Sequence, residues 1–323
     1  MKSKSLILFS VLGALSLSAC ATGQKHDIGE YILQVDYKDN FKILQLTDIH
    51  LGDKDDKQLH YDFMDLTIKQ ANPDMIIVTG DLFTFASRNT AKSFFNFLDS
   101  HNVPWTVTFG NHDEQCYFSV DWMTGYLNNF GSHCVFKDIQ DDNVKGNANF
   151  AINLMQGGNV FEQLIIMDSN RYHYGSYNGY DYFDQSQIDW YEELVNHSKV
   201  GGNPVESLMF YHIPLPEVND AYDYGVENGS LSGEEREKTC PPDYNSGFFS
   251  KIVELGSTKA MFFGHDHVNN FRVTYQGVTF NYGVKSTDRI YYDEDMTGGE
   301  LITLKNDHSL EYEYIYHKYS EVR

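Results

Sequence analysis

Short apolar segments with the length of β-strands recur along most of the chain. The early ones are separated by stretches long enough for helices, of which Lys57–Ala71 and Thr90–Ser100 are the clearest. Strands that alternate with helices are typical of layered α/β proteins and argue against an all-β sandwich. We therefore predict an α/β core whose strands are Lys42–Thr47, Met75–Thr79, Trp105–Phe109, Leu164–Met167, Leu208–Tyr211 and Ala260–Phe263.

From about residue 271 the pattern changes to closely spaced segments in which apolar and polar residues alternate. Alternation with a period of two predicts strands with one buried face, and Gln276-Gly277 and Asn306-Asp307 are typical turn residues. This end of the chain is predicted to form antiparallel hairpins from the segments Phe271–Tyr275, Val278–Tyr282, Leu301–Lys305 and Leu310–Tyr316.

Each of the six predicted core strands is followed directly by polar residues. Because open α/β sheets bind ligands beyond the carboxyl ends of their strands, side chains in these positions are expected to lie along one rim. Five of the 13 histidines occur there, which favours a shared chemical role over chance. The residues concerned include Asp48, His50, Asp81, Asn111, His112, Asp168, Arg171, His212, His265 and His267.

Seven of these side chains are suitable metal ligands, namely Asp48, His50, Asp81, Asn111, His212, His265 and His267. So many oxygen and nitrogen donors exceed what one zinc site normally uses, and they suit two ions that share a bridging carboxylate. Imidazole, carboxylate and amide donors without a thiolate favour iron, zinc or manganese over calcium or copper(I). The glycines before Asp81, Asn111 and His265 are expected to permit sharp turns at the strand ends.

The order of these motifs resembles that of the calcineurin-like metallophosphoesterase superfamily, with D-x-H, G-D, G-N-H-D, a single H and G-H-x-H between residues 48 and 267. The sequence around these motifs resembles that of single-domain phosphatases related to purple acid phosphatases. The segments concerned are TFGNHDEQ (108–115), YHIPLPE (211–217), NSGFF (245–249) and FFGHDH (262–267). The resemblance implies a four-layer α/β/β/α sandwich of two mixed sheets flanked by helices, with the metal site at the carboxyl ends of strands.

The resemblance also implies a role for each matching residue. It assigns one ion to Asp48, His50 and His267, a second to Asn111, His212 and His265, and the bridging position to Asp81. His112 would stabilise the transferring phosphoryl group and protonate the leaving oxygen without binding metal. The implied reaction is hydrolysis of a small phosphate monoester by a hydroxide that bridges two divalent or trivalent ions of the iron, zinc or manganese class.

Thr84 departs from the family pattern. Purple acid phosphatases carry a tyrosine ligand three positions after the bridging aspartate, and the Ser/Thr phosphatase branch has an aspartate there. With threonine at this position, no tyrosinate–iron absorption band is expected, and His112 lacks the carboxylate that would orient it. Asp113 and Glu114 are the candidates to replace that carboxylate.

Two other functions are compatible with the same motifs. A phosphodiesterase or nucleotidase would share the metal ligands, because specificity lies in the loops. A surface lipoprotein that binds metal without catalysis would have no need of a non-ligand histidine at His112. Arg171 and Lys285 are candidate substrate-binding residues, with surface ion pairing as the alternative for Arg171. The tyrosine-rich segment 172–182 is either an ordered surface loop or a stacking surface for a nucleobase or sugar.

The chain of 323 residues is strongly acidic, with 24 Lys and Arg against 46 Asp and Glu and a formal net charge of −22. Such a surface repels polyphosphate backbones, so general nucleic-acid binding is not expected. Hydrophobic residues make up 41 %, which is enough for a substantial core and excludes a disordered acidic tail. Metal ions would supply the local positive charge that a phosphate ester requires.

The N-terminus has the features of an export signal. Lys2 and Lys4 precede an apolar stretch, Leu6–Leu17, that is too short to span a bilayer. The following Leu17-Ser18-Ala19-Cys20 resembles a bacterial lipobox with Cys20 as the acylated residue, and an ordinary signal peptide is the alternative. The predicted organisation is a signal peptide (1–19), a lipid-anchored linker (20–40) and one metallophosphoesterase domain (41–323), attached outside the cytoplasmic membrane of a bacterium.

Three further cysteines leave the redox state open. Cys116 and Cys134 would close the shortest disulfide loop in an oxidising compartment, and Cys240 would then remain as a thiol. Three reduced cysteines are equally consistent with the sequence.

Overall fold

The computed structural model describes residues 26–131, 133–175 and 178–323, which form six α-helices, fourteen β-strands and short 3₁₀ turns. The helices are α1 (Lys57–Ala71), α2 (Arg88–Asp99), α3 (Val120–Leu127), α4 (Gln185–His197), α5 (Val218–Asn228) and α6 (Phe248–Leu255). The first seven strands are β1 (Ile32–Asp36), β2 (Phe41–Leu46), β3 (Met75–Thr79), β4 (Trp105–Thr108), β5 (Phe150–Gln156), β6 (Asn159–Ile166) and β7 (Tyr172–Tyr174). The remaining strands are β8 (Asn178–Tyr180), β9 (Ser207–Phe210), β10 (Thr258–Phe263), β11 (Arg272–Tyr275), β12 (Val278–Tyr282), β13 (Gly298–Leu304) and β14 (Leu310–Tyr316).

The larger sheet has seven strands in the order β1-β5-β6-β9-β10-β12-β11. It is mixed, because β5 is antiparallel to β6 and β11 is antiparallel to β12, while the other neighbouring strands are parallel. Successive residues of a strand point to opposite faces. In β10, Ala260 and Phe262 therefore join the core between the sheets, and Met261 and Phe263 pack in a second core with α4, α5 and α6.

The smaller sheet has five strands in the order β14-β13-β2-β3-β4. Strands β2, β3 and β4 are parallel, whereas β13 is antiparallel to both β2 and β14. Helix α1 packs against β2, β13 and β14, and the apolar face of α2 belongs to the same core. The predicted fold of two mixed sheets flanked by helices is confirmed, as are the two C-terminal hairpins, β11–β12 and β13–β14.

The linker predicted over residues 20–40 is wrong for its second half. Ile32–Asp36 is β1, which pairs with β5 at the edge of the seven-stranded sheet, and the ring of Tyr31 packs edge to face on Trp190. An edge strand is only partly buried, and β1 accordingly mixes apolar and polar residues in the manner of a linker. The folded part of the chain therefore begins before residue 41.

Several predictions at the N-terminus concern residues that the structure does not describe. Both the signal peptide (1–19) and Cys20 lie outside the described residues. Within the described ranges, no helix has the length and apolar character needed to cross a membrane. Cys116, Cys134 and Cys240 are free thiols, so the disulfide that we considered between the first two is not formed.

Candidate metal centre

The predicted ligands come together at the carboxyl ends of strands from both sheets. Asp48 and His50 follow β2, Asp81 follows β3 and Asn111 follows β4, while His212 follows β9 and both His265 and His267 follow β10. All seven side chains are buried. The ligand atoms of six of them form two adjoining groups, Asp48, His50 and His267 and Asp81, His212 and His265, with the atoms of each group within 4.8 Å of one another. His112 lies within the same distance of His50 and Asp81.

The backbone at these strand ends is strained. Asp48, His50, Asp81 and His265 all have positive φ, at 55°, 52°, 49° and 81°. Non-glycine residues rarely adopt this conformation, and where they do, they cluster at functional sites. The sheets therefore hold these four side chains in orientations that ordinary strand ends would not give.

The preceding glycines act chiefly by allowing close approach. Gly80 has positive φ, as a sharp turn requires, but Gly110 and Gly264 do not. A Cβ at Gly110 would lie 2.5 Å from the backbone nitrogen of Asp81 and 2.6 Å from the ring of His212. The expectation of sharp turns thus holds for Gly80, whereas the other two glycines leave room for the ligand side chains themselves.

Three ligand histidines are held through Nδ1 and turn Nε2 toward the centre. A histidine that ligates metal through one ring nitrogen usually has its other nitrogen hydrogen-bonded, which fixes the orientation of the ring. The Nδ1 partners are Thr84 Oγ1 for His50 (3.0 Å), the carbonyl oxygen of Thr79 for His212 (2.8 Å) and that of Tyr291 for His267 (2.9 Å). Nε2 of His50 and Nε2 of His267 then face each other at 3.0 Å. Thr84, which departs from the family pattern, therefore orients a ligand instead of being one.

Several atoms that point into the centre lack hydrogen-bonding partners among the described residues. They are Asp48 Oδ1, Asn111 Oδ1, His212 Nε2 and both ring nitrogens of His265. A buried polar atom left unsatisfied costs about 1–3 kcal/mol, so a cluster of them in one place requires an explanation. Carboxylate, amide and imidazole donors around such a cluster fit divalent or trivalent metal ions, which would provide the missing partners.

The electrostatics of the centre also favour cations. Burial alone would raise the pKa of Asp81, but the neighbouring His212 and His50 lower it below its usual range. In the same way, His267 and His50 lower the pKa of Asp48. Burial lowers the pKa of His50 and that of His265 to about 3. At His212, Asp81 overcomes burial and raises the pKa to about 10. Two buried carboxylates that remain charged require positive charge nearby, which protonated His212 supplies without metal and which bound metal ions would supply in its place.

His112 lies half-buried at the mouth of this cluster, where its ring packs edge to face against that of His50. Its Nδ1 lies 2.9 Å from Oε1 of Gln115, so an Nδ1 proton is donated to Gln115 and Nε2 stays available. Asp113, one of the two candidates for orienting His112, instead accepts hydrogen bonds from the backbone nitrogens of Gly110 and Phe83. The orienting residue is therefore Gln115, three positions beyond His112 on the same turn.

A tyrosine hairpin borders the other side of the centre. The strands β7 and β8 pair with each other, and the hydroxyl of Tyr172 accepts a hydrogen bond of 2.8 Å from Nδ2 of Asn111. This bond directs the amide oxygen of Asn111 toward the other ligands. Tyr180 contributes its ring, which packs edge to face on His265. The segment that we described as a surface loop or stacking surface thus supports two of the predicted ligands.

The segment 285–287, which we call the strap, holds the loop that follows β2. Each of its residues binds a different main-chain group in that loop. Lys285 Nζ donates to the carbonyl oxygen of Asp48 (2.7 Å), Ser286 Oγ accepts from Thr47 N (3.0 Å), and Thr287 Oγ1 donates to the carbonyl oxygen of Ile49 (2.8 Å). Lys285 is 1 % exposed and faces the main chain behind the ligands, so its predicted role in substrate binding is wrong.

Arg171 lines a cleft of about 580 Å³ beside the tyrosine hairpin. Its guanidinium donates to Asn147 Oδ1 at 3.1 Å and lies 3.5 Å from the buried carboxylate of Asp168. This arrangement is the ion pair that we gave as the alternative to phosphate binding. The cleft is otherwise rich in carboxylates, from Glu114, Asp121, Asp138, Asp141, Asp142 and Asp181.

Comparisons with known proteins agree with this geometry. Probable inactive purple acid phosphatase 14 of Arabidopsis thaliana is 29 % identical over 310 residues, which cover 83 % of this chain and 75 % of the plant protein. Phosphatase DCR2 of Saccharomyces cerevisiae is 26 % identical over 278 residues, which cover 76 % of this chain and 47 % of the yeast protein. The crystal structure of a dimetal phosphatase from Danio rerio has the same fold, with a TM-score of 0.53 and 14 % identity over 82 % of this chain and 96 % of that chain.

The family model for calcineurin-like phosphoesterases matches residues 41–269, a range that includes all seven predicted ligands and His112. This match covers more than half of the chain, and the plant relatives are named as purple acid phosphatases. The chain therefore belongs to the calcineurin-like metallophosphoesterases and is related to the purple acid phosphatases.

Proposed function

We propose that the protein is a metal-dependent hydrolase of phosphate monoesters. The observation that supports this most directly is the pairing of seven buried donors with His112, a histidine at their mouth that lies outside the ligand set implied by the family resemblance. A protein that only stores metal has no use for His112 in this position. The buried, unpartnered ligand atoms supply the reason for metal dependence.

Different residues of the chain would bind the metal ions and transfer the proton. Asp48, His50 and His267 would hold one ion of the iron, zinc or manganese class, and Asn111, His212 and His265 would hold a second. Asp81, whose Oδ2 lies 3.6 Å from Nε2 of His50 and 3.2 Å from Nε2 of His212, would serve both. When bound, two such ions lower the pKa of a water molecule and offset the charge of the phosphate oxygens. His112, oriented through Nδ1 by Gln115, presents Nε2 at the mouth, and in its doubly protonated form it can give the Nε2 proton to the leaving oxygen. General acid catalysis of this kind contributes about 10²–10⁴ in rate.

The test uses metal-free protein reloaded with Mn, Zn or Fe, with metal content and hydrolysis of p-nitrophenyl phosphate measured on the same preparation. Activity should require metal. His112→Ala should lower kcat by about 10²–10⁴ with unchanged metal content. His197→Ala, an exposed position at the end of α4, is the matched control and should have no effect. Full activity of His112→Ala would exclude the role proposed for that residue.

The substrate panel separates the other functions. Faster hydrolysis of bis-p-nitrophenyl phosphate than of the monoester would identify a phosphodiesterase. Three Arabidopsis relatives have names that begin with "probable inactive", so turnover has to be shown directly. Full metal content without turnover of any phosphate ester would refute the hydrolase function and favour a metal-binding protein.

We also propose that the protein is exported and anchored to a bacterial membrane by lipid at Cys20. The support is the order of basic residues, apolar stretch and Leu17-Ser18-Ala19-Cys20. Mass spectrometry of the N-terminal peptide of membrane-extracted protein should show diacylglycerol on Cys20. Cys20→Ala should abolish the lipid, and an unmodified Cys20 in the mature membrane protein would refute the anchor.

A further inference from the structure

Two exposed aromatic side chains, Phe85 and Tyr117, lie on segments adjacent in the chain to residues that orient His50 and His112. Phe85 exposes 59 % of its surface and Tyr117 exposes 72 %. Phe85 directly follows Thr84, whose hydroxyl contacts a ligand histidine. Tyr117 lies two residues beyond Gln115, whose side chain orients His112. Both rings therefore project from segments that hold parts of the centre in place.

The two segments are fixed to each other. The backbone nitrogen of Tyr117 donates to the carbonyl oxygen of Ala86 at 2.9 Å, and the backbone nitrogen of Phe83 donates to Asp113 at 3.0 Å. Beneath them, the rings of Phe83 and Phe118 pack edge to face in the core, with centroids 6.2 Å apart. The backbones that carry the exposed rings thus form a rigid, preorganised rim.

The backbone of Phe85 adds a second observation. Its φ is +52°, in the left-handed region that a bulky residue adopts only at an energetic cost and that suits glycine. Since the ring is mostly exposed, little packing within the chain offsets this cost. Strain of this kind clusters at active sites and at clamps for ligands.

We propose that Phe85 and Tyr117 form the subsite for the leaving group, and that the substrate is a phosphate monoester whose leaving group carries an aromatic ring. The inference rests on the proposed hydrolase function. Because His112 would protonate the leaving oxygen, the leaving group would lie on the His112 side of the centre, next to the segments that carry these two rings. Aromatic side chains bind another ring in stacked or edge-to-face contact. The cleft at Arg171, by contrast, is lined mostly by carboxylate and amide side chains.

The test compares kcat/KM for 1-naphthyl phosphate with kcat/KM for glycerol 3-phosphate, because the ratio cancels changes that affect both esters. Phe85→Gly removes the ring at a position whose backbone suits glycine, and Tyr117→Ala removes the second ring. Each should lower the naphthyl-to-glycerol ratio about 10-fold, and the double variant about 100-fold. Tyr224→Ala, an exposed tyrosine on α5, is the control and should leave the ratio unchanged.

Metal content and inhibition by inorganic phosphate, which has no leaving group, show whether the centre is intact in each variant. If the wild type hydrolyses both esters and the ratio in the double variant stays within twofold of wild type, the subsite is refuted and the hydrolase function stands. If fully metal-loaded wild type hydrolyses neither ester, the hydrolase function and the subsite are refuted together.

Discussion

Gly264→Ala should disrupt the metal centre by steric overlap alone. Gly264 is the last residue before His265, and a Cβ there would lie 2.5 Å from Oδ2 of Asp48 and closer still to Oγ1 of Thr47. Neither atom is free to move. Asp48 Oδ2 accepts hydrogen bonds from the backbone nitrogen of His265 (3.0 Å) and from the hydroxyl of Thr47 (2.9 Å). The added methyl group therefore has to displace either the strand end or the ligand.

The size of the effect follows from this overlap. Ordinary carbon–oxygen contact begins near 3.4 Å, so the methyl group intrudes by about 1 Å, and overpacking of this kind costs about 1–3 kcal/mol of stability. A shift of about 1 Å in a group that holds the reacting centre can lower activity about 10²-fold. We expect Gly264→Ala to lose both metal affinity and at least that much activity.

Gly125→Ala provides the matched control. Gly125 lies in α3, and a Cβ there would meet nothing within 4 Å. Alanine in a helix should stabilise the protein by about 0.5–1 kcal/mol relative to glycine. Metal titration, urea unfolding of the metal-free proteins and phosphatase assays would compare the two variants. The steric argument would be refuted if Gly264→Ala kept a metal affinity and an activity within twofold of the wild-type values.

Three further changes test the supporting contacts. Tyr172→Phe removes the acceptor for Asn111 Nδ2. Because a buried donor is then left unpaired, metal binding should weaken about 10-fold in a metal titration. Unchanged affinity would show that Asn111 needs no support from Tyr172. Thr84→Val removes the hydrogen bond to His50 Nδ1 and should lower metal affinity about 10–100-fold, whereas equal affinity would contradict the orienting role. Burial raises the pKa of Glu300 to about 8 in the folded chain, above its value in the unfolded chain. Between these two pKa values only the folded chain keeps the proton, so the stability of the protein falls as the pH rises through this range. Glu300→Gln should flatten this slope and raise the urea midpoint of the metal-free protein at pH 8, and a lower midpoint at every pH would contradict it.

Strands with an uninterrupted or regularly alternating apolar pattern were predictable from the sequence, and strands without one were not. The interior strands β3 and β12 and the edge strand β14 have the predicted bounds, because such a pattern reflects burial on one or both faces. The edge strand β1 and the short strands β7 and β8 lack that signal. Strand β5 was missed for a different reason: Asn153 interrupts its apolar run, yet it is buried and accepts a hydrogen bond from Gln163 of the neighbouring strand. Such a polar pair inside a sheet depends on a partner that the local pattern does not reveal.

The residues of the site were likewise predictable from the sequence only in part. The structure brings the seven predicted donors together, because their positions follow from strand ends and their residue types from metal chemistry. Gln115 and Tyr172 were not recognised, since each acts through a side-chain contact whose direction only the folded backbone sets. The strap had a usable signal, because it comes shortly after the end of β12, as the ligands come after their strands. That signal does not distinguish a lysine that faces substrate from one that faces the main chain.

The strap joins parts of the chain that are synthesised far apart in time. Lys285 binds the carbonyl oxygen of Asp48 across 237 positions, and Gly298, which begins β13, donates its backbone N–H to the carbonyl oxygen of Lys285 at 2.9 Å. Strand β2 lies between β13 and β3, so the loop that follows β2 is enclosed only after the strap and β13 have left the ribosome. Contacts of such long range form slowly. We therefore expect chains terminated before residue 285 to bind no metal, which ties metal uptake to synthesis of the strap.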